Sequence, residues 1–250
     1  MDGMANERTL AGTNDRGVPV NCTVTTNAAG AWTFTTVALA SGVHNFTATA
    51  TDATGSTSLP SAALRITVDT AAPGAPVISG FSPDSGTMGD GLTNANTITV
   101  NGTAEVNSTV KIYDGVTLLG SANANASGVW TFATSTLVNG SHSLSAIATD
   151  AAGNASQASA ALNIVIDKVA PAQPAISGFS PDGGNVGDGI TNASAVTLTG
   201  TAEANSTVRI YDGASLLGST SANASGAWSF TTGTLISGAH SLTATATDAA

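Results

Sequence analysis

An all-β chain of small two-sheet domains in tandem is what the sequence predicts, and three observations predict it. The first is a spacing. Trp32, Trp130 and Trp228 stand 98 residues apart, as do His44, His142 and His240, and Asp52, Asp150 and Asp248. The second is a period: apolar residues alternate with polar ones in short runs, the pattern of strands with one buried face. The third is composition. Thr, Ser, Asn and Gly are abundant, which favours strands and turns over helices.

The repeat organises the chain. Residues 69–152 align with 167–250 without a gap, 55 of 84 positions being identical. A 98-residue period is too long for the short solenoid repeats of about 20–50 residues and suits one sandwich domain. The expected domains are 1–68, a partial repeat lacking its first strands; 69–166, a complete repeat; and 167–250, a repeat lacking its last strand. In the first of these, Gly17 corresponds to Gly115 and nothing matches segment 73–104. Residues 1–14 have no counterpart and are expected to be disordered.

The strands of the middle repeat follow in order. APVISGF (75–81) is the first. TITVNGT (97–103) puts Ile98 and Val100 on one face, and TVKIYDG (109–115) buries Val110 and Ile112 while exposing Lys111. LLGSANA (118–124) follows. VWTFAT (129–134) places Trp130 and Phe132 together. HSLSAIATD (142–150) lines up His142, Leu144, Ala146, Ala148 and Asp150, and SAALNIVID (159–167) closes with Leu162, Ile164 and Ile166 inward. Turn signals separate them: DG at 114–115, NG at 139–140 and AAGNAS at 151–156. Seven short alternating strands describe an immunoglobulin-type β-sandwich. The small inward alanines of 142–150 leave room for Trp130 as the core anchor.

Composition sets limits on function. The 250 residues are 42% hydrophobic but only 4% aromatic, so each core is thin. The formal net charge of −10 argues against nucleic acid, which needs a basic surface to meet phosphates, and against anionic membranes. Cys22 stands alone, so the chain holds no internal disulfide. No apolar run reaches the roughly 20 residues of a membrane span. The start, MDGMANERTL, has no apolar signal core, so an export signal is expected elsewhere.

Several stretches together resemble the bacterial immunoglobulin-like repeats of large surface adhesins, including the RTX-type and biofilm-associated ones. They are GTAEANSTV (200–208), YDGASLLGST (211–220), ASGAWSFTT (224–232), GAHSLTATATDAA (238–250) and the linker VDTAAP (68–73). The resemblance covers nearly all of 17–250. It implies sandwiches strung end to end as a non-enzymatic spacer at the bacterial cell surface, outside the cell. It implies calcium at the junctions, neighbouring repeats of the same chain as partners, and a role in adhesion or biofilm formation. A host glycan or surface would be met by a module outside these residues. Two other readings stay open: a module that itself binds carbohydrate or host protein, and an accessory region of an extracellular enzyme.

The acidic residues return in register. SPDSGTMGDGLTN (82–94) carries Asp84 and Asp90, and SPDGGNVGDGITN (180–192) carries Asp182 and Asp188. In an immunoglobulin-type sandwich the loop between the first two strands lies at the pole where the chain leaves. The loop between the last two strands lies where it enters, as does the loop between the second and third. At the 167 junction this gathers Asp84, Asp90 and Asp167 with Asp248 and Glu203 of the next repeat. At the 69 junction it gathers Asp69, Glu105 and Asp150. Asp182 and Asp188 face the far pole of the third repeat. Two carboxylates about 4 Å apart repel by about 4 kcal/mol at an effective dielectric of 20, a cost that a cation removes. Oxygen-only donors on irregular loops suit Ca2+ better than Mg2+, and without a His/Cys cluster they do not suit zinc. Asp114 and Asp212 read as turn residues. The histidines read as corner residues bonded to backbone, with no paired carboxylate. Tyr113 and Tyr211, beside Lys111 and Arg209, lie on an outward strand face.

Overall fold

The structure, a computed structural model, describes residues 7–13, 19–27 and 29–250. Its ordered elements are all strands, and no helix among the described residues is long and apolar enough to cross a membrane. In the first repeat they are β1 (Glu7–Thr13), β2 (Pro19–Thr25), β3 (Gly42–Ala50) and β4 (Leu64–Val68). The second has β5 (Val77–Ser82), β6 (Leu92–Thr93), β7 (Thr99–Thr103), β8 (Thr109–Asp114), β9 (Thr117–Asn123), β10 (Val129–Ala133), β11 (Gly140–Thr149) and β12 (Leu162–Ile166). The third has β13 (Ala175–Ser180), β14 (Thr197–Thr201), β15 (Thr207–Asp212), β16 (Ser215–Ser221), β17 (Ala227–Thr231) and β18 (Leu242–Thr247).

Repeat two is the complete sandwich. One sheet runs β10-β7-β5 and the other β6-β12-β11-β8-β9. Alternation decides which side chains meet between them. Ile98, Val100 and Trp130 come from the first sheet, and Val110, Ile112, Leu144, Ala146, Ile164 and Ile166 from the second, all buried. The seven expected strands are all present. The two-residue β6, which pairs parallel with β12, was not expected. Trp130 lies opposite Gly102 in the β10–β7 ladder. A Cβ on Gly102 would stand 2.6 Å from Trp130 Cζ2 and overlap the Val77 carbonyl oxygen. Glycine at 102 is therefore what lets the indole lie flat on the sheet.

Repeat three copies this plan with sheets β13-β14-β17 and β16-β15-β18. Trp228 lies opposite Gly200 as Trp130 lies opposite Gly102.

Repeat one corrects one expectation. Glu7–Thr13 is not disordered: it forms β1, the inner partner of both β2 and β3 in a sheet ordered β2-β1-β3-β4. Arg8 faces Ala50 as Val110 faces Ala148, so β1 takes the place of β8 four residues out of the 98-residue register. A longer β1–β2 connection causes the offset, and a gapless comparison passes over it. The rest of the 1–14 expectation, and Gly17, lies outside the described residues. Described residues of repeat one form no second sheet. Trp32 accordingly stays 37% exposed where Trp130 is 1% exposed.

Candidate functional site

Repeats two and three touch at a seam beside the exit of the chain from repeat two. After β12 the Asp167 amide donates to Thr93 O, and Val165 N donates to Gly91 O, so the 83–91 loop lies beside the exit of the chain. Gly86 in that loop meets the backbone of Ala249, in the last loop of repeat three. Any Cβ on Gly86 would overlap the Ala249 carbonyl oxygen, and its φ of +66° also favours glycine. A cavity of about 550 Å³ lies at this seam, lined by Asn94, Asp167, Lys168, Thr247 and Asp248 among others.

Six of the aspartates first close their own turns. Asp167 Oδ1 accepts from Val169 N at 3.0 Å and Asp248 Oδ1 from Ala250 N at 3.1 Å. Asp90 Oδ1 accepts from Leu92 N at 2.8 Å, and Asp188 Oδ1 from Ile190 N at 2.9 Å. Asp84 Oδ2 accepts from Gly89 N at 2.6 Å, and Asp182 Oδ2 from Gly187 N at 2.7 Å. These are the local turn bonds by which aspartate holds loops. Asp84 Oδ1 and Asp182 Oδ1 are left buried without a hydrogen-bond partner. Glu105 and Glu203 are exposed. The structure thus brings Asp167 and Asp248 to one cavity. Among the described residues no three His, Cys, Asp or Glu side chains stand close enough together to hold a metal ion.

The seam at residue 69 is tied differently. Asp150 Oδ1 accepts from the amides of Ala152 and Asn154, and its Oδ2 accepts from Asn154 Nδ2. The Asn154 bond is the largest of several that hold the Asp150 carboxyl below its ordinary pKa. The same Asn154 Nδ2 reaches the Asp69 carbonyl oxygen at 3.1 Å, a direct bond from the β11–β12 loop of repeat two to the connector. Asp69 Oδ1 accepts from Ala71 N. In repeat one the corresponding Asp52 binds Thr54 and Ser56, and the Thr54 hydroxyl is the first cause of its lowered pKa.

The reading of the histidines needs a second correction. Each does bond to backbone: Nε2 of His142 to Val138 O, and Nε2 of His240 to Ile236 O, both at 2.8 Å. Two of the three also have a carboxylate partner. Nδ1 of His142 meets Asp114 Oδ2 at 2.7 Å and Nδ1 of His240 meets Asp212 Oδ2 at 2.7 Å. Asp114 and Asp212 are therefore more than turn residues. Their other oxygens accept the amides of Ser143 and Ser241. The signal was in the sequence as a YDG turn and a histidine 28 residues on, both returning after 98. Strand pairing made them neighbours: Leu144 lies opposite Asp114. In repeat one His44 Nε2 meets Ala40 O, while its buried Nδ1 has no partner among the described residues.

Both ring nitrogens of His142 and His240 face acceptors, an arrangement that favours the doubly protonated ring. At His142 burial is the largest single influence and opposes the charge. The bonds to Asp114 and Val138 and the Asp114 charge together outweigh it and raise the pKa. At His240 the Ile236 carbonyl leads, Asp212 adds to it, and burial opposes. The His240 bond is also the first cause of the lowered pKa of Asp212. A raised folded-state histidine pKa contributes stability that is full below the unfolded value of about 6.5 and is lost as pH rises through the folded value. The melting temperature of repeats two and three is therefore expected to fall as pH rises above 6.5. The combined Asp114→Asn and Asp212→Asn variant is expected to melt with a flatter pH profile. Calorimetric scans of both proteins across that range check it; parallel profiles would show that these pairs are neutral.

Tyr113 and Tyr211 are half-buried, with Lys111 and Arg209 exposed next to them in the strand.

Solved structures offer fold comparisons. The chain is similar to a tetra-tandem repeat in the extending region of a large adhesion protein, at 23% identity over 98% of this chain, with a TM-score of 0.33. It spans 64% of the length of that structure. It is also similar to fibronectin(III)-like modules of Clostridium thermocellum CbhA, at 18% identity over 66% of this chain and 80% of that one, with a TM-score of 0.36. The BSP domain of a biofilm-associated protein matches at 21% identity over 67% of this chain and 26% of that one, with a TM-score of 0.27. No curated protein matches the chain. The sequence pattern of the bacterial Ig-like domain fits three successive segments, 7–70, 74–168 and 171–250, and the chain belongs to that family.

Proposed function

We propose that this chain is a non-catalytic spacer of a bacterial surface adhesin, its repeats held in line at their seams and stiffened there by calcium. The observation that carries the reading is the contact between the exit loop of repeat two and the last loop of repeat three, Gly86 against Ala249, beside a cavity that both Asp167 and Asp248 line. A spacer needs each domain to control the angle of the next. Short connectors and loop-to-loop contact at the poles supply that control, and the Asn154–Asp69 bond supplies it at the other seam. Each domain would add about 35–45 Å, from strand rise plus loops.

The donors fit a hard cation in chemistry. All are oxygens, Asp84 leaves one buried oxygen without a partner, and Asp167 and Asp248 each have one oxygen beyond the turn bond. Calcium bound there would offset the repulsion among the carboxylates and fix the connector. An affinity of about 10⁻⁴–10⁻³ M would suit an extracellular module. The ligand set would be completed on binding, since the described residues hold no ready group of three.

Small-angle scattering of the chain with and without millimolar calcium tests this. The expected result is a larger maximum dimension with calcium, abolished in the Asp167→Ala/Asp248→Ala variant. A profile that calcium leaves unchanged, with no heat on titration, would leave these aspartates as turn residues and the seams held by protein contacts alone.

A further inference from the structure

The chain contains two asparagine–glycine pairs, Asn101–Gly102 and Asn139–Gly140, and the fold treats them in opposite ways. Asn101–Gly102 lies in β7, the middle strand of its sheet, where Gly102 is buried between the ladder partners Trp130 and Ile78. Asn139–Gly140 lies where the loop after β10 turns into β11, and both residues are exposed. Gly140 forms the outermost rung of the β11–β12 ladder, opposite Ile166, and end rungs open most readily. Its φ is +129°, and a Cβ there would meet nothing within 4 Å, so the space around it is open. The Asn139 side chain has no hydrogen-bond partner among the described residues, whereas Asn125 Oδ1 is held by the amides of Ser127 and Val129. The other repeats carry serine at this place, in Ser41–Gly42 and Ser237–Gly238.

We propose that Asn139 is a self-modification site, converted by the Gly140 backbone and water into aspartate and isoaspartate, and that isoaspartate there loosens the joint between β11 and β12. The Gly140 amide nitrogen gives up its proton to hydroxide and bonds to Asn139 Cγ. The Cγ–Nδ2 bond breaks, Nδ2 leaves as ammonia, and a five-membered cyclic imide remains. Water then opens the imide on one side or the other. Cleavage between Cγ and the Gly140 nitrogen leaves aspartate with an ordinary main chain. Cleavage between the Asn139 main-chain carbonyl carbon and that nitrogen leaves isoaspartate, whose main chain runs through Cβ and Cγ and is one carbon longer. No oxidant, cofactor or enzyme enters, so the product accumulates with the age of the chain. The extra carbon falls between two fixed points: Val138 O, which meets His142 Nε2 at 2.8 Å, and Gly140, which faces Ile166. One of the two must give. Serine has no amide to lose, so repeats one and three are spared at this position.

The test stores the full chain at mildly alkaline pH and follows two tryptic peptides by tandem mass spectrometry, 112–168 with Asn139 and 66–111 with Asn101. Conversion reads as a gain of about one mass unit at the asparagine. In the folded chain Asn139 is expected to convert and Asn101 to stay; in urea both should convert at similar rates. Gly140→Ala should slow the reaction at Asn139 by about tenfold or more, in urea as well as in buffer, because a Cβ hinders the closing ring. Hydrogen exchange of the aged protein should show protection lost at 140–144. The Asn139→Asp variant, which carries the charge without the extra carbon, should keep that protection. Equal conversion of both asparagines in the folded chain would overturn the proposal. So would an unchanged Asn139 over a period in which the urea-unfolded chain converts, or aged protein with full protection at 140–144. Loss of that protection in Asn139→Asp would overturn it too, by assigning the loosening to charge.

Discussion

Trp130→Ala is expected to destabilise repeat two by about 3–5 kcal/mol, a large part of the 5–15 kcal/mol that a domain usually has. The indole is 1% exposed and joins both sheets at the centre of the only cluster that repeat two buries, among the described residues. Aromatics are 4% of the chain, so nothing of similar size stands ready to collapse into the space. One effect works the other way. Trp130 Nε1 is buried without a hydrogen-bond partner, and truncation relieves that burden, so the lower half of the range is expected. Trp228→Ala should behave alike in repeat three, where the ring is 4% exposed and its Nε1 is also unpaired. Trp32→Ala should cost far less, because that ring is 37% exposed against an incomplete sheet pair. Hydrogen exchange of the β7 and β10 amides, compared with the matching positions of the other repeats, reads the cost domain by domain. Equal losses at all three tryptophans would show that Trp130 is no anchor.

Gly102→Ala should be a strongly damaging single-methyl addition, at about 1–3 kcal/mol or more. The position does not demand glycine through backbone angle, since its φ is ordinary. It demands it through space. The new Cβ would overlap the Val77 carbonyl oxygen and stand 2.6 and 2.8 Å from two atoms of the Trp130 ring. The ring cannot move aside without opening the core, and the carbonyl cannot move without disturbing the β5–β7 ladder, where Ile78 faces Gly102. Gly200 has the same neighbours in repeat three, the Ala175 carbonyl oxygen and Trp228. Gly74→Ala is the control, because a Cβ there meets nothing within 4 Å. It should change stability by no more than about 0.5 kcal/mol. Thermal melts of the three variants decide the matter; a Gly102→Ala protein as stable as the Gly74→Ala protein would show that the indole yields.

How much of this was legible beforehand depends on whether the cause was local. The strand run HSLSAIATD declares its buried face by alternation, and His142, Leu144, Ala146 and Ala148 are buried as read. The 98-residue return of tryptophan located three equivalent positions, of which Trp130 and Trp228 are buried and Trp32, whose described surroundings form a single sheet, is not. β1 was hidden because its match is four residues out of step. β6 was hidden because two residues carry no period. The His142–Asp114 pair was hidden because only the β8–β11 register makes residues 28 apart into neighbours. At the seam the loops that carry the aspartates were legible and the distances were not. Spacing can assign an aspartate to a loop, but each turn then decides which way the carboxylate faces, and most of these face their own backbone amides.

The chain enters repeat two where Asn154 grips the Asp69 carbonyl and leaves it beyond Ile166, at opposite ends of β12. A pull on the chain therefore runs along that strand, not across it. The rungs that tie β12 to β11 and to β6 are then loaded together in shear, and no rung at a free end can give way ahead of the others. Survival under tension is set by the rate of crossing the unfolding barrier, not by equilibrium stability. In a spacer under tension, the strand that closes the sandwich would also be the one that carries the force.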